Sequence, residues 1–329
     1  MTESGVRVAA IDCGTNSIRL LVADISPGGV ISDVLRRMEV VRLGYGVDRT
    51  GRIDPVAMER TLAQAREYAA QCTELGAIAV RFVATSASRD ASNADEFVVG
   101  VREAFAAYST VPEVISGCEE AALSFRGATG DLRAAGIEGP YLVVDLGGGS
   151  TEFVRGTDTV EAALSTDVGC VRMTERHLHS DPPTRPELDG AETDIRAAVD
   201  AAARVVDFRD VRTLVGLAGT VTTVTAYAKR LPAYDPVAIH LSVTPVGEVQ
   251  QACLELLTMT RAERAALPFM HAGRVDVIGA GALIWSHVVE RVAADTMDTR
   301  GGRDGRPLTV VTSEHDILDG IALSAAERA

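Results

Sequence analysis

The apolar positions of this chain fall into two periods, and the shorter one frames a repeated design. Val6 to Ile11 is an apolar run ending in Asp12-Cys13-Gly14-Thr15-Asn16-Ser17, and a second apolar run follows from Ile18 to Ile25. Tyr141 to Val144 repeats the first run, Asp145-Leu146-Gly147-Gly148-Gly149-Ser150 repeats the turn, and Thr151 to Val154 begins the return. Each copy reads as strand, tight small-residue turn and strand, which predicts a β-hairpin. The copies stand about 130 residues apart, a spacing that predicts two related domains. Between them the period lengthens. Asp54-Pro55 opens a helix whose stripe is Met58, Leu62, Ala65, Ala69 and Cys72. Ile78 to Ala84 then reads as a strand, and Asn93 to Tyr108 and Gly117 to Gly127 as helices. In the second half, Glu187 to Val206, Val246 to Leu257 and Val275 to Val292 are helical, with strands at Thr213 to Leu217 and Leu308 to Val311. A last helix is expected from Ser313, with Ser313 as its N-cap and Glu314 and Asp316 as an acidic first turn. Alternation of this kind predicts an α/β architecture.

Composition narrows the classes of function. The 329 residues suggest two domains, and 47% hydrophobic residues supply cores built on Val, Leu, Ile and Ala, since aromatic residues make up only 4%. Lys229 is the one lysine, so arginine carries nearly all positive charge. A net charge of −14 argues against a protein that coats nucleic acid, whose binding needs a broad basic surface. It leaves room for an anionic ligand held locally by a few arginines and backbone N–H groups. Cys13, Cys72, Cys118, Cys170 and Cys253 are scattered and odd in number, which fits a reducing compartment. Asp12 interrupts the first apolar run, and no stretch has the length of a membrane span, so the expectation is a cytoplasmic protein without a membrane partner.

The candidate chemistry lies in the two turns. Glycines at 147, 148 and 149 allow positive φ and close approach, so successive N–H groups can point at one phosphate, with Ser150 and Thr151 adding hydroxyl donors. The same composition would also serve a plain hairpin turn. Asp145 and Glu152 flank this turn, where negative charge would repel a phosphate unless a hard divalent cation lay between them; alternatively, Asp145 caps its own turn. Asp12 has the corresponding place in the first turn and is a further candidate ligand.

Four blocks, taken in order, resemble the exopolyphosphatase and guanosine pentaphosphate phosphohydrolase family, within the superfamily of sugar kinases, actin and heat-shock chaperones. They are Ala10 to Ser17, Thr85 to Asn93, Ile115 to Ala121 and Val144 to Glu152, and further similar stretches extend the resemblance over nearly the whole chain. The pattern is particularly similar to short actinobacterial members. The resemblance implies two duplicated actin-like (ribonuclease H-like) domains around an interdomain cleft, the first over 1–125 plus about 313–329 and the second over 126–312. It implies hydrolysis of a terminal phosphoanhydride, on inorganic polyphosphate or at the 5′ end of guanosine pentaphosphate. A low-turnover alarmone-binding regulator is the competing class. Residue by residue, Glu120 matches the general base, Arg89 a phosphate-binding arginine, and Thr15, Asn16 and Ser17 the first phosphate loop. Read by itself, Arg89 would instead pair with Asp90 or Asp95, and the Glu119-Glu120 pair would favour a helix N-terminus. The implied cofactor is Mg²⁺ or Mn²⁺, and the resemblance is compatible with an assisting monovalent cation and with a homodimer. Arg126, Arg172 and Arg274 would either extend the phosphate path or form ordinary salt bridges, and Gly216 to Thr220 corresponds to a segment that approaches the nucleoside in ATP-using relatives.

Overall fold

A computed structural model of the chain describes residues 5–108, 110, 112–300 and 308–329. The chain divides into two compact units, Met1–Gly127 with Ile317–Ala329, and Ala128–Asp316. In the first unit the strands are β1 (Val6–Cys13), β2 (Ser17–Ile25), β3 (Ile31–Val40), β4 (Ala79–Ala84) and β5 (Glu113–Val114). Its helices are α1 (Val47–Thr50), α2 (Pro55–Glu74), α3 (Ser86–Asp90) and α4 (Ala94–Ala104), and α5 (Gly117–Ala134) leads into the second unit. The second unit contains β6 (Tyr141–Leu146), β7 (Thr151–Gly156), β8 (Val160–Thr166), β9 (Thr213–Leu217), β10 (Ser242–Val243) and β11 (Thr309–Thr312). Its helices are α6 (Cys170–His177), α7 (Arg185–Val205), α8 (Ala218–Ala228), α9 (Pro236–Ile239), α10 (Val246–Thr258), α11 (Arg261–Ala265) and α12 (Ile278–Arg300); α13 (Ile317–Arg328) belongs to the first unit.

The two sheets share one plan. The first has the order β3-β2-β1-β4-β5, with β1, β2 and β3 antiparallel and β4 and β5 parallel to β1. The second has the order β10-β11-β9-β6-β7-β8, again an antiparallel meander followed by parallel β9 and β11. Among the described residues, only the antiparallel edge strand β10 has no counterpart. The repeat of the hairpins is thus a repeat of whole sheets.

Burial explains why the inner strands are so apolar. In β1, Ala9, Ile11 and Cys13 face a core shared with Met58 and Tyr68 of α2 and Phe97 of α4. The alternate residues Val8 and Ala10 face Leu318, Ile321 and Ala322 of α13 on the other side. A strand covered on both faces has no polar face to show. In the second unit, Leu142, Val144 and Leu214 pack with Trp285 and Val289 of α12. A part-buried ion pair ties down α13, since Asp319 is fully buried and binds the half-buried guanidinium of Arg36 from β3.

The structure corrects three expectations. Each hairpin is a three-stranded meander, because β3 and β8 were not legible. Helix α5 runs on to Ala134. The final helix begins at Ile317, and Ser313 does not cap it; its hydroxyl donates to the carbonyl of His315 and accepts from the His315 N–H, closing a turn ahead of the helix.

Candidate active site

The glycine turn of the second unit is held from behind. The Gly147 N–H donates to the Ser150 carbonyl at 3.0 Å and closes the turn. The carbonyl of Gly147 accepts from Cys170 N–H, that of Gly148 from the N–H groups of Val171 and Arg172, and that of Gly149 from Arg172 Nε at 2.7 Å. A trans peptide is planar, with its C=O and the following N–H pointing in opposite directions. Three carbonyls turned toward the start of α6 therefore turn the N–H groups of Gly148, Gly149 and Ser150 the other way, as an anion nest. Gly147 does not take the positive φ expected of it; glycine serves close approach here. Gly169, which sequence reasoning missed, is the other half of this contact. A Cβ on it would stand 2.4 Å from the Gly148 carbonyl oxygen and 2.6 Å from the Gly149 nitrogen. Burial pushes the Cys170 thiol up to about 11, so no thiolate charge competes beside the turn.

Thr151 is a correction. It is wholly buried and its hydroxyl donates to the Val168 carbonyl at 2.6 Å, so it braces β7 rather than offering a donor to a ligand. Ser150 is also buried, and it is its backbone N–H that faces away from α6.

Asp145 and Glu152 are directly opposed in the β6–β7 register at the base of the turn, and both are buried. Directly opposite residues have their Cβ atoms about 4.5–5.5 Å apart, where two like charges destabilise each other. Ser165 donates to Glu152 Oε1 at 2.7 Å and orients one carboxylate. An all-oxygen pair of carboxyl groups of this kind fits Mg²⁺ or Mn²⁺, because hard cations take carboxylate oxygens.

In the first unit the equivalent turn is built alike. Gly14 N–H donates to the Ser17 carbonyl at 3.0 Å. The Thr15 carbonyl accepts from Gly44 N–H, and the Asn16 carbonyl from Val41 and Arg42, which turns the N–H groups of Asn16 and Ser17 outward by the same geometry. The Thr15 hydroxyl is bonded to Ser86 Oγ at 2.8 Å and fastens the turn to α3. Asp12 departs from the expected metal role. It is buried and takes both Nε and Nη2 of Arg19 on one carboxylate oxygen, at 2.9 and 2.7 Å, so its charge is already balanced.

Glu120 and Arg89 come together in the same unit. Arg89 Nη1 donates to Glu120 Oε2 at 3.1 Å and to the Ile115 carbonyl at 3.0 Å, in place of a bond to Asp90 or Asp95. Glu120 is only 8% exposed. Its neighbour Glu119 goes elsewhere, as helical positions about 100° apart require. It binds Arg81 Nη2 at 2.6 Å, and Arg81, 4% exposed, also binds Glu113 and Ser324. Burial works against the Arg81 charge, but the bonds to Glu113 and Glu119 outweigh it and raise the pKa. The first turn of α5 is thereby fixed in rotation. Of the remaining arginines, Arg126 forms an ordinary two-bond salt bridge with Glu327, and Arg172 serves the back of the glycine turn. Arg274 lies on the Gly219 carbonyl, where a Cβ would come within 2.3 Å of its Cζ, and Ala218 beside it takes a φ of 67°.

Comparison with known proteins identifies the family. A model of the Ppx/GppA phosphatase family matches residues 21–305. Exopolyphosphatase 2 of Mycobacterium tuberculosis is 52% identical over 325 residues, covering 97% of this chain and 98% of that protein. Among solved structures, an exopolyphosphatase-like protein superimposes with a TM-score of 0.91 at 44% identity, covering 98% of this chain and 99% of that one. The Aquifex aeolicus member of the Ppx/GppA family gives a TM-score of 0.78 at 30% identity, with 98% of each chain covered. Backed turns, duplicated sheets and a family match that spans most of the chain lead to one assignment: the chain belongs to the Ppx/GppA phosphatase family.

Proposed function

We propose that this protein is an exopolyphosphatase that releases terminal orthophosphate from inorganic polyphosphate by in-line attack of water. The observation that carries this reading is the outward nest of Gly148, Gly149 and Ser150 N–H groups in the turn that joins the strands of the opposed carboxylates Asp145 and Glu152. An anion cradle flanked by paired anions suits a metal-bound phosphate better than any neutral ligand. Asp145 and Glu152 would hold Mg²⁺ or Mn²⁺, which supplies charge neutralisation at the phosphate oxygens. The nest holds oxygens of the terminal phosphate. In the first unit, Glu120 takes the proton of the attacking water. Arg89 holds the Glu120 carboxylate at a fixed place and offers its remaining guanidinium donors to a phosphate oxygen. The outward N–H groups of Asn16 and Ser17 are a second anchoring point for phosphate.

Guanosine pentaphosphate is the second substrate reading, favoured by the contact of Arg274 with the Gly219 segment, which resembles the nucleoside-approaching turn of ATP-using relatives. Phosphate release from polyphosphate and from guanosine pentaphosphate, side by side with and without Mg²⁺, tests both. Mg²⁺-dependent release from polyphosphate supports the proposal. Saturable binding of either compound without release would replace the enzyme with a regulator.

A further inference from the structure

Sequence spacing scatters the histidines, yet the fold brings two of them to one carboxylate. Asp131 lies in the last turns of α5, His240 follows α9, and His315 precedes α13; all three belong to the second unit. His315 Nδ1 is 2.5 Å from Asp131 Oδ2, and His240 Nε2 is 3.5 Å from the same oxygen. The imidazole centroids are 4.6 Å apart, and one ligand atom of each residue lies within 4.8 Å of the other two. The side chains of Asp131, His315 and His240 are 43%, 34% and 23% exposed, so ions and water reach them. None of the three touches the glycine turn or the Asp145–Glu152 pair in the bonds just described.

We propose that Asp131, His240 and His315 form a site for a divalent transition-metal cation of the zinc class, separate from the oxygen-lined carboxylate pair. Bonds of about 2.0–2.2 Å to nitrogen and oxygen place tetrahedral ligand atoms roughly 3–3.5 Å from one another. The 3.5 Å contact already has that spacing, and the 2.5 Å contact reaches it by a small opening. Two ring nitrogens and one carboxylate oxygen select a borderline cation over Mg²⁺, which takes oxygen ligands. The proton balance also follows from the contacts. His315 ligating through Nδ1 carries its proton on Nε2. His240 ligating through Nε2 carries its proton on Nδ1, which now accepts from the Glu314 N–H at 3.2 Å. Loading the ion therefore gives up that bond, which weakens the affinity by roughly tenfold. A bound ion would join three segments far apart in sequence, so its effect is on stability.

The test uses the full chain, stripped with a chelator and titrated with Zn²⁺ in millimolar Mg²⁺, with Co²⁺ as a spectroscopic probe. One equivalent should bind with a dissociation constant on the order of micromolar. At a hundredfold excess over that constant, the unfolding midpoint should rise by roughly 3–8 °C. His240→Gln and His315→Gln should each weaken binding roughly tenfold or more and remove the visible Co²⁺ bands of a nitrogen-ligated site. Asp145→Asn and Cys118→Ser should leave both unchanged; Cys118 is the exposed thiol. The proposal is overturned if Zn²⁺ fails to bind below the millimolar range, if both histidine variants bind as the parent does, or if binding is lost in Asp145→Asn or Cys118→Ser instead. Circular dichroism of the two histidine variants separates loss of ligation from loss of fold.

Discussion

Gly169→Ala tests whether the glycine turn works because it is held from behind. The new Cβ would meet the carbonyl oxygen of Gly148 at 2.4 Å, its carbonyl carbon at 2.5 Å and the Gly149 nitrogen at 2.6 Å. All three are backbone atoms, so no side chain can rotate away. The start of α6 or the turn itself must retreat by roughly 1 Å, a misplacement that can cost about 100-fold in rate. The contacts at risk are Cys170 N–H to Gly147 at 3.0 Å and Val171 N–H to Gly148 at 2.8 Å, which do not survive such a shift. Overpacking of this kind destabilises by about 1–3 kcal/mol, so the variant should still fold. Phosphate release measured across substrate concentrations, together with thermal unfolding, should show about a 100-fold loss in kcat/KM against a modest drop in Tm. Gly130→Ala is the control: it lies in α5 with nothing within 4 Å of the added Cβ, and should keep full activity while gaining up to about 1 kcal/mol of helix stability. Activity of Gly169→Ala within about twofold of the parent would refute the claim that peptide orientation in the turn depends on α6.

Other expectations follow from single contacts. Glu120→Gln keeps the shape of the side chain but cannot accept a proton, so turnover should fall about 100- to 10,000-fold with folding intact; near-parent release would remove Glu120 from the mechanism. Arg89→Lys should lose less activity than Arg89→Ala, because lysine keeps the charge facing Glu120 but not the planar fork; equal activity of both variants and the parent would reject the assignment. Asp145→Asn should raise the Mg²⁺ concentration needed for half-maximal release, and an unchanged titration would make Asp145 structural. Glu187 is held to about 2, against an ordinary 4.5, first by the Thr184 N–H and also by bonds from the Thr184 hydroxyl and the His179 and Ser180 N–H groups. A lowered carboxyl pKa gives stability that is full above pH 4.5 and lost as pH falls toward about 2. Glu187→Gln should therefore flatten the dependence of Tm on pH in that window, and parallel curves for parent and variant would contradict the assignment.

The parts of the fold that sequence made legible are those in which one local rule dominated. Strands β1 and β6 are apolar on both faces because both faces are buried, and each ends in an aspartate and a glycine turn. Strand β3 was hidden because it is an edge strand; Asp33, Arg36, Arg37 and Glu39 break its apolar pattern, and charge on an edge discourages pairing with other chains. Ser313 looked like a cap because serine before acidic residues usually is one; here its hydroxyl closes a local turn instead. In the site, residue types were readable and partnerships were not. Arg89 and Glu120 are 31 positions apart, and nothing local in either segment says that they meet. Gly169 gave a weak signal, a lone glycine ahead of a helix, and its meaning comes only from the peptide it touches.

The duplication explains why two turns of one design should differ in chemistry. Gly14 and Gly147 close their turns with the same bond to Ser17 and Ser150, and in both units the segment after the third strand takes up the turn's carbonyls. The cross-strand partner of the aspartate is where the copies part. Asp12 faces Arg19, and Asp145 faces Glu152. A buried aspartate paired to arginine is electrically complete, and bringing in a cation would mean displacing the guanidinium. Two buried carboxylates facing each other repel, and a divalent cation or a shared proton between them relieves that repulsion. On the proposed mechanism a metal is recruited at the second turn alone, while the first turn contributes N–H donors without one. On that proposal, one opposed position, arginine in one copy and glutamate in the other, divides the two roles.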